Sequence, residues 1–180
     1  RDVADRNAAA TEELRALARQ ENLPLEVLEL DVLSDASVAA AIEQAIARAG
    51  RIDFLVSNAG IVVPGPIELQ PPKFFQANIE TNAYGALRVI KAVIPHMRQV
   101  GQGTIIQISS ALGRAIDPML GGYCASKLVI EAACDALRYE LASSRIEVSV
   151  VQPAGAYPTG LQSKALRYWE ELRSSLGPEK

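Results

Sequence analysis

The chain has 180 residues, 49% of them hydrophobic and 22% charged, enough to build one sizeable core and to argue for a single domain. Its 18 basic residues against 21 acidic ones leave a net charge of −3, which excludes the basic footprint of a nucleic-acid or anionic-membrane binder. No apolar run reaches the roughly 20 residues of a membrane span, and no charged-then-apolar leader precedes the domain, so a cytoplasmic location is expected.

In chain order, Leu14, Leu17 and Ala18 mark a first amphipathic helix, broken at Asn22-Leu23-Pro24. Residues 25–30 then alternate apolar and polar side chains as a strand does. Ser34 is a predicted N-cap for a helix whose apolar positions Val38, Ala41, Ile42, Ala45 and Ile46 repeat at helical spacing until Gly50. Ile52 to Ser57 reads as a short buried strand. The segment from Ile61 to Pro72 carries four prolines and Gly65 and is therefore a surface loop. A long helix is expected from about Pro72 to Met97. Next come a strand from Thr104 to Ile108, a helix from Gly121 to Leu141, a strand from Ile146 to Val151 and a last amphipathic helix from Leu161 to Leu172. Strands alternating with helices point to a parallel sheet with helices on both faces. Cys124 and Cys134 fall on one predicted helix, where ten residues rise about 15 Å, so both are expected as free thiols.

In an open parallel sheet, ligands bind beyond the carboxyl ends of the strands. Each predicted strand ends in polar or glycine residues there: Asp31, then Asn58-Ala59-Gly60, then Ser109-Ser110, then Gln152-Pro153-Ala154-Gly155. Ordinary turn chemistry accounts for any one of these alone. What raises the set above turn chemistry is Tyr123-Cys124-Ala125-Ser126-Lys127, because Tyr123 and Lys127 at i and i+4 share one helix face. A phenol titrates near pH 10, so acid–base work near neutrality calls for a neighbouring cation that favours the phenolate. Lys127 is spaced to supply it, and Ser110, at a strand end 13 residues before Tyr123, can hydrogen-bond a reacting oxygen.

These motifs resemble those of the short-chain dehydrogenase/reductase family, from Arg1 to roughly Thr159. Tyr123 and Lys127 match its Tyr-x-x-x-Lys, Ser110 its serine in Ser-Ser-x-x-Gly, Asn58-Ala59-Gly60 its Asn-Ala-Gly, and Asn82-Ala83-Tyr84-Gly85 its Asn-x-x-Gly. Asp31 and Val32 match the pair that contacts adenine. The resemblance implies a Rossmann-like, doubly wound α/β fold and hydride exchange between a nicotinamide cofactor and a small-molecule carbonyl or secondary alcohol. Tyr123 would move the proton, Lys127 would lower its pKa and hold the nicotinamide ribose, Ser110 would orient the substrate oxygen, and Asn82 would anchor a proton relay. Pro153, Gly155 and Thr159 would lie along the nicotinamide. Arg1, near the end of the family's second strand, favours NADP, while the adjacent Asp2 keeps NAD open. The family also implies a homodimer or homotetramer formed through the long helix and the Tyr123 helix, and a substrate lid over residues 157–175. No metal is expected, since His96 has no second histidine to join it.

Two departures accompany the resemblance. Ala154 separates Pro153 from Gly155 where the family has Pro-Gly, and no Gly-x-x-x-Gly-x-Gly phosphate turn occurs anywhere in the chain. The expected sheet is therefore incomplete, lacking its first two strands and its last, with residues 1–180 forming one N-terminally truncated domain that is inactive by itself. Strand 25–30 would then have no ladder neighbour. The alternatives are a catalytically silent fragment that binds without turnover, or an epimerase or dehydratase built on the same site.

Overall fold

The computed structural model describes residues 3–155 and 160–176. Helix α1 spans Val3–Gln20 and α2 spans Asp35–Ala49. The start and end of α2 are chemically explicit: the Ser34 hydroxyl accepts from the Ser37 amide at 3.2 Å, and Gly50 turns left-handed so that its N–H reaches the Ile46 carbonyl at 2.7 Å. Strand β1 (Phe54–Ser57) leads into the proline-rich loop and α3 (Pro72–Ile79), which passes through a π-helical turn (Glu80–Gly85) into α4 (Ala86–Val100). Strand β2 (Gly103–Ile108), α5 (Gly121–Leu141), β3 (Ile146–Val151) and α6 (Leu161–Ser175) follow.

The three strands form one parallel sheet in the order β1-β2-β3, with Leu55 beside Ile105 and Ile105 beside Val148. Alternation along each strand sends Ile105, Ile146 and Val148 into a hydrocarbon layer shared with Ile90, Val93, Ile94 and Met97 of α4 and Ile130, Cys134 and Leu141 of α5. The opposite side chains of β1 stay in water: Phe54 is 68% exposed and Val56 57%. This is a Rossmann-like α/β arrangement, with its active ends, in the sense of parallel sheets, at Ser57, Ile108 and Val151.

Three expectations change. The strand expected as buried over 52–57 begins at Phe54, and one of its faces is exposed because no element packs on it among the described residues. Residues 25–30 are extended but are not a strand, because among the described residues no backbone ladder forms along them. Alternation selects a strand-like chain, yet a strand exists only with a hydrogen-bonding neighbour. The long helix is not one continuous α-helix either: its middle turn, 80–85, widens to π geometry, and its end extends to Val100. Helix α1 forms as expected, but Leu14 and Leu17 remain exposed and Ala18 alone of the three is buried. Cys124 and Cys134 are free, buried thiols.

A second, smaller apolar cluster gathers Val63, Phe74 and Leu172, with Ile61, Tyr168 and Trp169 against them. Gly65 packs against it. Its φ of +139° suits glycine, and a side chain there would place its Cβ 2.5 Å from Leu172 Cδ2, so the loop and α6 pack directly on each other.

Candidate functional site

A cavity of about 420 Å³ opens at the carboxyl ends of the strands, between β1, β2, the start of α5 and α6. Asn58, Gly60, Ser110, Tyr123 and Lys127 line it, with Pro153 and Gly155 on the β3 side and Lys164 of α6 across from them. Seven of the residues expected from the motifs thus meet in one place. Ser109 and Ser110 both line the cavity: Ser109 is buried and donates to Glu131 of α5, while the Ser110 hydroxyl accepts from the Leu112 amide at 3.2 Å.

Tyr123 and Lys127 lie one helical turn apart on α5, and the Lys127 Nζ is 5.7 Å from the centre of the Tyr123 ring. Burial pushes the Tyr123 phenol up from its ordinary value, and a hydrogen bond with the Ser110 hydroxyl pulls partly the other way. Lys127 is therefore not the group that draws the phenol down here. Its Nζ donates to the Ile108 carbonyl at 3.0 Å, and burial lowers its own pKa to about 8 against an upward pull from Glu131.

Asn82 stands behind the cavity, in the π turn. Its Oδ1 accepts from the Ile61 amide at 2.8 Å, and its Nδ2 donates to the Ile61 carbonyl and to Ser126 Oγ, both at 2.9 Å. Ser126 in turn donates to the Tyr123 carbonyl at 2.6 Å, so one buried amide ties the strand-end loop to the first turn of α5. Gly60 is required where these pieces converge: a Cβ there would come 3.1 Å from Asn82 Oδ1 and 3.8 Å from Lys127 Nζ.

Other expected residues lie elsewhere. Ala59 is exposed and does not line the cavity. Asp31 and Val32 form the turn into α2, where Asp31 accepts from the Leu33 amide at 2.9 Å and the Val32 carbonyl accepts from Arg88 at 2.7 Å. They do not line the cavity. Arg1 and Thr159 fall outside the described residues, as do residues 157–159 of the expected lid. Among the described residues, no group of three or more His, Cys, Asp or Glu side chains is placed to hold a metal ion, and no helix is long and apolar enough to cross a membrane.

The sequence reading passed over Glu131 and gave no role to Ser109, Gln152 and Ser126, all of them bonded into the site. Glu131 carried a legible signal, since it repeats the Tyr123–Lys127 interval once more on the same helix face. Beside the cavity runs a shallow apolar groove of about 470 Å³, bounded by Pro64, Met119, Ala165, Leu166 and Trp169, with Gln162 common to both.

The residues fit the nicotinamide half of a dinucleotide. Gly60 and Gly155 leave the walls open, Lys127 has protons beyond the one given to Ile108, and the Ser110 and Tyr123 hydroxyls face the same space. The family model described as short chain dehydrogenase matches residues 2–168. The chain is similar to 3-ketodihydrosphingosine reductase of Bacteroides thetaiotaomicron, with 40% identity over 74% of this chain and 49% of that protein. It is similar also to the mitochondrial D-beta-hydroxybutyrate dehydrogenase of Rattus norvegicus, with 32% identity over 93% of this chain and 51% of that one. It thus spans about half the length of these curated relatives. Among solved structures, a gluconate 5-dehydrogenase from Burkholderia cenocepacia in complex with NADP and tartrate superposes with a TM-score of 0.78 at 31% identity, covering 83% of this chain and 58% of that one. An NAD+-bound xylitol dehydrogenase superposes with a TM-score of 0.81 at 26% identity, over 96% of this chain and 65% of that one. The chain belongs to the short-chain dehydrogenase/reductase family.

Proposed function

We propose that the protein is an NAD(P)-dependent oxidoreductase that interconverts a carbonyl and a secondary alcohol. The observation that carries this reading is the convergence of the Ser110 and Tyr123 hydroxyls and the Lys127 ammonium on one cavity at the strand ends. The nicotinamide, when bound, supplies or accepts the hydride. Ser110 orients the substrate oxygen. Tyr123, held protonated by its burial, donates to that oxygen when a carbonyl is reduced and takes the proton back when an alcohol is oxidised. Lys127 offers its remaining protons to the ribose. Asn82 anchors the proton relay by holding the Ile61 backbone and the Ser126 hydroxyl in place. Asn58, Gly60, Pro153 and Gly155 frame the nicotinamide side, with Thr159 continuing it. Asp31 and Val32 are assigned to the adenine, and Arg1 favours NADP over NAD.

The substrate is a small carbonyl or alcohol compound, and the groove along Met119, Leu166 and Trp169 favours one with an apolar extension. Residues 157–175 serve as its lid, a reading supported by Leu161, Gln162 and Lys164 of α6 on the cavity wall. Exposed Tyr84 beside α4, with exposed Leu128 and Val129 of α5, supports assembly into a homodimer or homotetramer through those helices. The test is nucleotide reduction by the full-length protein with a panel of secondary alcohols, alongside thermal shift with NADP and with NAD. Turnover lost in Tyr123→Phe is the expected result. No turnover and no stabilisation by either nucleotide would overturn the reading.

A further inference from the structure

Glu131 lies one turn beyond Lys127 on α5 and two beyond Tyr123, and it is 2% exposed. A buried carboxylate is costly unless every oxygen is satisfied, and here the satisfaction is complete and comes from three directions. Ser109, at the end of β2, donates its hydroxyl at 2.5 Å. Gln152, just past the end of β3, donates its amide to both oxygens at 2.9 and 2.8 Å. Arg114, from the loop after β2, approaches at 2.7 Å with its side chain 65% exposed. One carboxylate thus joins two strand ends and a loop to the helix that carries the reacting pair.

We propose that Glu131 is a positioning residue of the site, fastening α5 to the ends of β2 and β3 and keeping the Lys127 ammonium cationic through its buried negative charge. This rests on the oxidoreductase reading above, in which Lys127 works as a cation. Among the described residues no ion pair joins the two groups; Lys127 bonds the Ile108 carbonyl instead, so Glu131 acts across a water-poor helix turn. Burial pulls the Lys127 pKa down, and Glu131 is the charge that opposes it. The other groups around the pair are few. On α5 they are Tyr123, Cys134, whose thiol burial pushes up to about 11, and Asp135 with its partner Arg138. Arg114 faces the pair from the β2 loop, and Lys164 faces the cavity from α6. Near neutrality Cys134 is uncharged and Asp135 is shared between Arg114 and Arg138, which leaves Glu131 as the buried anion next to Lys127.

The test reads Lys127 directly, by NMR titration of its ε-carbon in the full-length protein labelled with 13C-lysine and without substrate or nucleotide. Glu131→Gln preserves shape and hydrogen bonds but removes the charge. Its Lys127 midpoint is expected to fall by about one pH unit, with Glu131→Asp returning most of it. The alkaline limb of the kcat/KM profile is expected to move the same way. A role confined to packing would lower stability or kcat at every pH and leave the midpoint in place, and that result would overturn the proposal. Should Glu131→Gln not fold, Arg114→Gln at the exposed end of the pair gives the opposite test: the midpoint is expected to rise, and no rise overturns the proposal. A protein with no dehydrogenase activity whose Lys127 midpoint still follows Glu131 would sink the functional reading and leave this coupling standing.

Discussion

Two regions of this molecule are equally buried and chemically opposite. Between the sheet and α4, Ile90, Val93, Met97 and Ile105 are sealed in hydrocarbon; at the strand ends a few residues away, Asn82, Ser126, Lys127 and Glu131 are sealed just as well. Burial stabilises the first set, at about 25 cal/mol per Å² of apolar surface removed from water. It costs free energy in the second unless each polar atom finds a partner. The hydrocarbon layer therefore holds the strand ends in position, and the polar cluster uses that rigidity to hold its hydrogen-bonding groups at fixed positions. Equal burial does not mean equal purpose.

The contrast can be broken experimentally, beginning with the largest effect. Tyr123→Phe is expected to lower kcat/KM by about 10²–10⁴-fold, as loss of an acid–base group does, while the thermal midpoint stays close to that of the parent. A parallel loss of stability would mean the polar cluster is also a structural support. Ile105→Ala is expected to do the reverse: a loss of about 2–5 kcal/mol in urea unfolding, with activity per folded molecule retained.

Lys127 sharpens the point through pH. Its pKa is about 8 in the folded protein against 10.5 when unfolded, so the unfolded chain holds the proton more tightly. Stability is therefore penalised below about pH 8, and the penalty is relieved as pH rises toward 10.5. Cys134, raised from 9.0 to about 11, works in the opposite direction between those values. Lys127→Met is expected to gain ~1–3 kcal/mol at pH 7 and to lose the rise specific to lysine, while abolishing turnover. Urea midpoints of the two proteins measured across pH 7–11 read the difference. The smallest effect is expected at the bare face of the sheet, where Phe54→Ser should change stability by no more than about 0.5 kcal/mol in the same assay.

Much of this was legible in the sequence. Helix α2 was bounded by Ser34 and Gly50, whose capping chemistry is local, and α5 spans the Gly121–Leu141 expected. The cavity residues Ser110, Tyr123 and Lys127 came from spacing and from the chemistry a phenol needs. Other features depend on partners distant in the chain. Residues 25–30 have the alternation of a strand, but a ladder is a property of two segments, and alternation reports on one. The π turn at 80–85 was hidden because apolar residues continue through it at helical spacing, and the Ile61 backbone to which its Asn82 amide bonds lies 21 residues away. The direction of the Tyr123 shift was likewise unreadable, because burial is set by the whole fold and it outweighs the Ser110 hydrogen bond.

The small cluster of Val63, Phe74 and Leu172 has a kinetic meaning. Leu172 is the single residue of α6 that is fully buried, and the cluster shares no member with the main core. Helix α6 is therefore joined to the rest of the chain through a small apolar cluster of its own, and its backbone is expected to open more readily than that of the main core. Its amide hydrogens are expected to exchange with solvent before those of α4, with the contacts of Leu172, Tyr168 and Trp169 and the Lys73–Glu171 ion pair setting how long before.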